Sequence, residues 1–172
     1  MPPQQAVRRT ARRGTLAIAA FWLGALGLLY LGFNRLEGHR AEQLRPRVTA
    51  SGELLIPRQP DGHFHVEGQV NGHPVRFLVD TGASQVTVTE AFARAAGLEG
   101  GQAVTFRTAN GPMPGRIVRG VGVSAGPMHL PDVSVAVGLN GHDRAEALLG
   151  QSFLSRFDLE LTADHMVLRV RR

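Results

Sequence analysis

The sequence predicts an all-β domain preceded by one apolar N-terminal helix. Three observations carry this reading. From about residue 52 onward, short runs of partly alternating apolar residues are separated by Gly, Pro and Asn turns. Asn71-Gly72 lies between two such runs and is a strong signal for a two-residue hairpin. Thr15 to Phe33 is 19 residues long without a charge, about the length of a helix that spans hydrocarbon.

Bulk composition sets further limits. A chain of 172 residues holds one domain and an appendage. It has no Cys, which excludes a disulfide framework and a thiolate metal site. The net charge is +5, and all 19 basic residues are Arg. Arg8, Arg9, Arg12, Arg13 and Arg35 precede residue 36, leaving 14 Arg against all 14 acids in the remainder. The domain is therefore neutral. Nucleic-acid binding needs clustered positive charge on the domain, so no nucleic-acid partner is expected.

The N-terminal elements follow from charge and hydropathy. Residues 1–14 read as a cytoplasmic tail carrying four Arg. Residues 15–33 read as an uncleaved transmembrane signal anchor, because its end is bulky (Leu31, Phe33) and lacks a small-residue cleavage site. The positive-inside bias puts the N-terminus in the cytoplasm and the domain outside, in the periplasm or beyond the cell. This makes the chain a single-pass protein of the cell inner membrane. Residues 34–51 are polar, contain Pro46, and read as a linker with a partly helical stretch from Leu36 to Leu44.

Residues 52–172 are the expected domain. His63 to Val70 and His73 to Val79 form a hairpin around Asn71-Gly72. Ser84 to Thr89 is the next strand. Thr89 then caps a short helix, Glu90 to Ala96, which Gly97 ends. Gln102 to Thr108 and Arg116 to Val123 are strands around a loop, Ala109 to Gly115, whose Pro112 and Pro114 imply more than a minimal turn. Pro131 to Val137 is a strand. Ala147 to Gly150 is apolar, and a helical turn follows from Gln151 to Phe157. Phe157 to Leu161 and Met166 to Val170 close the chain as a hairpin.

The most informative stretch is Val75 to Ser84. An apolar strand ends in Asp80, then Thr81, Gly82, Ala83 and Ser84. A carboxylate at the end of a buried strand is costly unless hydrogen-bonded or used. Gly82 lets the backbone come close to the acid. An ordinary turn after a strand is the bland reading of the same residues.

Two further segments occur in a telling order: Thr108-Ala109-Asn110-Gly111, and Leu148-Leu149-Gly150 with Gln151 to Leu154 after it. With Asp80-Thr81-Gly82-Ala83-Ser84, this order resembles the bacterial, membrane-anchored, retropepsin-like aspartic proteases over roughly residues 52–172. The resemblance implies a small acid-protease barrel with short helices, and endopeptidase activity on a protein or peptide substrate. It implies Asp80 as the catalytic acid, with Thr81, Gly82, Ala83 and Ser84 as its loop. Thr108, Ala109, Asn110 and Gly111 would be the tip of a flap. Leu148 and Leu149 would pack behind the loop, and Gly150 would allow close backbone approach. No cofactor and no metal are implied. The chain carries one Asp-Thr-Gly, so the second carboxylate would come from a second copy in a homodimer.

Two other readings compete. One is a non-catalytic binding or scaffolding module on the same fold. The other is a metal site from His63, His65 and His73, the first two on one strand face. For pocket-lining residues, Val86, Ile117, Val118 and Leu148 are candidates.

Overall fold

Strands form where the sequence offers a face to bury. In the computed structural model, residues 21–36, 38, 42–108, 111–139 and 146–171 are described, with the backbone alone at 108, 139 and 146. The chain divides after Gln43 into two units. In the first, residues 21–36 are helical (α1). Trp22, Leu26, Leu29, Tyr30 and Phe33 are all exposed on it, so α1 is apolar all round with no buried stripe. Among the described residues, no helix is long and apolar enough to cross a membrane. The expected span Thr15–Phe33 begins before them; residues 15–20 and the expected tail 1–14 lie outside the described residues.

The second unit contains β1 (Arg47–Val48), β2 (Leu54–Pro57), β3 (His65–Val70), β4 (His73–Val79), β5 (Val86–Thr89), α2 (Glu90–Ala95), β6 (Gln102–Thr108), β7 (Gly111–Ala125), β8 (Met128–Leu139), β9 (Glu146–Leu149), α3 (Gln151–Leu154), β10 (Phe157–Leu161) and β11 (His165–Val170). One sheet runs β3-β4-β9-β5-β8-β7-β6, and β3 also pairs with β7. That extra pairing closes six strands into a ring and leaves β6 as the outer arm of a long hairpin. A second sheet has the order β1-β2-β11-β10.

Local chemistry explains the elements. Asn71 and Gly72 both adopt positive φ (51° and 79°), as a primed hairpin turn requires. Thr89 caps α2, its hydroxyl accepting from the Phe92 N–H at 3.1 Å. In β4, Val75, Phe77 and Val79 point inward and alternate with more exposed residues. They meet Val86, Val88, Val135, Leu149 and Phe153 in one core. The same period of two turns the next residue, Asp80, away from that core.

Several elements differ from the sequence reading. Arg47 and Val48, read as linker, pair with Leu55 and Leu54. The expected loop Ala109–Gly115 is mostly strand: Pro112 lies opposite Arg107 and Pro114 opposite Thr105. The two prolines are two residues apart. Both missing N–H groups therefore point away from β6, where the hairpin needs no donor. The helical turn expected to Phe157 stops at Leu154, and Phe157 begins β10.

An ion network lies on the second sheet. Arg169 reaches Glu53 on one side and Glu160 at 2.7 Å on the other, and Arg171 reaches Asp158 at 3.1 Å. The Arg169 hydrogen bond, more than any other influence, holds the Glu53 carboxyl below its ordinary range. A carboxyl held low in the folded state stabilises it above the unfolded pKa. That contribution fades as pH falls through the lowered one. Arg169→Gln is therefore expected to lower stability at neutral pH and to converge on the wild type in acid, as urea melts across pH will show. Phe77→Ala, at a fully buried site, is expected to cost about 3–5 kcal/mol in the same assay.

Candidate active site

β4 delivers Asp80 to the edge of the core. Val79 donates its N–H to the Phe64 carbonyl at 2.9 Å, and Asp80 donates to the Leu149 carbonyl at 3.1 Å. The chain then turns. The Ala83 N–H reaches the Asp80 carbonyl at 3.3 Å, and the Gly82 N–H reaches Asp80 Oδ1 at 2.9 Å. A Cβ on Gly82 would lie 3.2 Å from that oxygen, tighter than side chains normally approach. The loop thus fixes the carboxylate by one oxygen and holds it half-exposed rather than burying it.

The β9–α3 corner straps this loop from behind. Gln151 and Ser152 donate their backbone N–H groups to the carbonyls of Ala83 (2.8 Å) and Ser84 (3.0 Å). The Ser152 hydroxyl accepts from the Val86 N–H at 2.8 Å, and the Gln151 side-chain amide donates to the Thr81 carbonyl at 2.9 Å. Gly150 makes this approach possible, since a Cβ there would lie 2.2 Å from the Gln85 carbonyl and 2.7 Å from that of Ala83. The corner is held to the core by Phe153, which is fully buried and packs on Phe157 with ring centroids 5.0 Å apart.

The residues expected from the sequence fall out as follows. Thr81, Gly82 and Ser84 are exposed around Asp80, and Ala83 is half-buried. Leu149 is fully buried behind the loop. Leu148 is not beside it: alternation along β9 puts it on the opposite face, half-buried and paired with Leu78 and Thr87. Val86 is fully buried in the core and cannot line a pocket, whereas Ile117 and Val118 are half-buried on β7. Thr108 and Gly111 pair at the end of the β6–β7 hairpin, and Gly111 has φ 104°. Ala109 and Asn110 lie outside the described residues.

The histidine reading is overturned by register. His65 pairs with Leu78 and His73 with Val70, so His73 sits at the far end of the hairpin from His65. Among the described residues, no group of three potential ligands could hold a metal ion.

The sequence reading assigned no role to the side chains of Gln151 and Ser152. The only signal was their place directly after Leu148-Leu149-Gly150, since a polar residue at the start of a short helix otherwise reads as solvated surface. The strap makes two checkable claims. Gly150→Ala is expected to destabilise by about 1–3 kcal/mol through overpacking. Ser152→Ala leaves the Val86 N–H unpaired and is expected to cost about 1–3 kcal/mol. In both variants, hydrogen exchange of the Val86 amide should accelerate; unchanged exchange would contradict the strap.

With this geometry in view, the chain compares closely with known proteins. Residues 66–156 match the family model described as "gag-polyprotein putative aspartyl protease". The crystal structure of a retropepsin-like aspartic protease from Rickettsia conorii aligns with a TM-score of 0.58 and 33% identity, covering 69% of this chain and 91% of that one. An uncharacterised protein in the cobV 5' region of Sinorhizobium sp is 33% identical over 68% of this chain and 52% of its own length. An uncharacterised protein from Rickettsia prowazekii (strain Madrid E) is 35% identical over 63% of this chain and 47% of its own length. The chain thus spans about half the length of the curated relatives it matches. The matched stretch contains the Asp80 loop, the β6–β7 hairpin and the β9–α3 corner, and the chain belongs to the retropepsin-like aspartic protease family.

Proposed function

We propose that the protein is a membrane-anchored aspartic endopeptidase, active as a homodimer. The observation that carries this is the held, half-exposed carboxylate of Asp80, fixed by the Gly82 N–H on a strapped loop. Peptide hydrolysis by this chemistry needs two carboxylates that share one proton, because like charges so close together cannot both ionise. The ionised one takes a proton from a water. The water oxygen bonds to the peptide carbonyl carbon, and the protonated acid gives its proton to the carbonyl oxygen. Collapse then breaks the C–N bond as the amine takes up a proton.

One chain supplies one such acid, so a two-fold axis between two copies brings Asp80 to face Asp80. The exposed Thr81 at the rim of the loop is suited to bond across that axis. Gly82 and Ser84 would contact the substrate backbone. The β6–β7 hairpin, with Thr108, Ala109, Asn110 and Gly111 at its tip, would close over an extended peptide and exclude water.

The apolar, exposed surface of α1 supports an anchor spanning residues 15–33, with residues 1–14 in the cytoplasm, a linker that ends before β1, and the protease domain, which begins at Leu44, beyond the inner membrane. Two copies in one bilayer share an orientation, and tethering raises their effective concentration.

Peptide-library cleavage by the full chain in bilayer discs, from acidic to neutral pH, tests the chemistry. Wild type is expected to cleave, and Asp80→Asn to lower the rate about 10²–10⁴-fold. Equal rates would assign cleavage to another group. Silence from a folded, dimeric wild type would favour the non-catalytic module. Topology has its own test, because the chain has no Cys. A single cysteine at exposed Ser51 is expected to react with a membrane-impermeant maleimide added outside the inner membrane. Labelling only after lysis would reverse the orientation.

A further inference from the structure

The β6–β7 hairpin leaves the barrel at one defined point. β7 pairs with β8 from Arg116, which lies opposite Val137, onward to Ala125. Before Arg116 its ladder runs to β6 alone. Pro112 and Pro114 account for that stop. They occupy the two positions whose N–H groups would face β8, so neither can extend the ladder. The next cross-strand position brings Gly115 beside Gly138, where neither strand has a side chain. A Cβ on Gly115 would lie 2.5 Å from the Val137 carbonyl oxygen. Gly138 has φ 147°, a conformation that L side chains rarely adopt, and a Cβ there would lie 3.2 Å from the Pro114 carbonyl oxygen. The space above the glycines is filled from the outer arm. The half-buried ring of Phe106 leans diagonally from β6 onto β7, with its Cε2 2.6 Å from the position of a Gly115 Cβ and 3.8 Å from that of a Gly138 Cβ.

We propose that the Gly115–Gly138 crossing is the hinge of this hairpin, and that the Phe106 ring is the latch that sets the hairpin's angle to the barrel. Three features act together. The prolines remove the hydrogen bonds that would fix the hairpin to β8. The glycine pair lets two backbones pass closely and leaves both free to turn. Such a crossing is loose by itself, and an aromatic ring laid over a bare glycine restores the packing that the missing side chain cannot give. Phe106 thereby ties the outer arm to the one point where the inner arm meets β8. Its effect on catalysis, through a hairpin that closes over the peptide, rests on the endopeptidase reading and makes Phe106 a positioning residue. The hinge itself rests on the geometry alone.

The test uses the full chain in bilayer discs, spin-labelled at Arg107→Cys on β6 and Arg76→Cys on β4. Both positions are exposed, and the chain has no other Cys. Labelled chains are diluted into excess unlabelled chain, so that pulsed electron spin resonance reads the distance within one chain. A single narrow distribution is expected with Phe106 in place. Phe106→Ala is expected to replace it with a broad one, and Phe106→Tyr, which keeps the ring, to restore it. Gly138→Ala is expected to shift the peak with the ring still present, because the added Cβ presses on Pro114 and Gly115. In peptide cleavage by the unlabelled chain, Phe106→Ala is expected to lower kcat/KM about 10²-fold, the scale of a 1 Å misplacement, and Phe106→Tyr to recover it. An unchanged distribution in Phe106→Ala overturns the proposal. So does broadening that Phe106→Tyr fails to reverse. Equal broadening by Val118→Ala, on the barrel side of the hinge, would mean general loosening and also overturns it. If wild type cleaves, and Phe106→Ala slows it without altering the distribution, the latch fails and the endopeptidase reading stands. If wild type cleaves nothing while the distribution responds as expected, the endopeptidase reading fails and the hinge stands.

Discussion

The rest of the site depends on the close contact between the β9–α3 corner and the loop after β4. Two backbone segments meet there so tightly that residue 150 has no room for a side chain. The contact lets Gln151 and Ser152 satisfy the carbonyls of Ala83 and Ser84, and the Ser152 hydroxyl satisfy the Val86 N–H. A loop at the rim of a barrel would otherwise carry unpaired backbone groups and move freely. Strapped in this way, it presents a carboxylate in a fixed orientation. Preorganisation of that kind is what acid–base chemistry on a bound water needs.

The barrel supplies the strap with its foundation. β4 and β9 run parallel and side by side, so their C-terminal ends emerge together. Asp80 follows one and Gly150 follows the other. Inward-facing Val79 and Leu149 end the two strands in the core, and Phe153 pins the start of α3 to the same core. Position at the end of β4, with one oxygen held by the Gly82 N–H, makes Asp80 a candidate acid. Its chemistry depends on what is brought opposite it.

Much of this was legible in the sequence. An apolar run ending in Asp80-Thr81-Gly82, a hairpin at Asn71-Gly72 and a cap at Thr89 each follow from short-range rules, and each has its expected geometry. The less legible parts depend on partners distant in sequence. Arg47-Val48 is too short to show a period and becomes a strand only because β2 lies beside it. Pro112 and Pro114 read as loop residues until the register of β6 and β7 shows that no donor is needed at either position. The face of Leu148 is set by alternation from buried Leu149, which the doublet Leu-Leu conceals. The strap joins residues about 70 positions apart, and no local pattern announces such a pairing.

The central claim is that two copies each contribute one Asp80 to a single reaction centre. Subunit mixing tests it most directly. Wild-type and Asp80→Asn full chains would be reconstituted together at constant total density, with the wild-type fraction varied. If each centre needs two intact carboxylates, activity should follow the square of the wild-type fraction. Activity falling in simple proportion to that fraction would mean that each chain works alone, and would contradict the account.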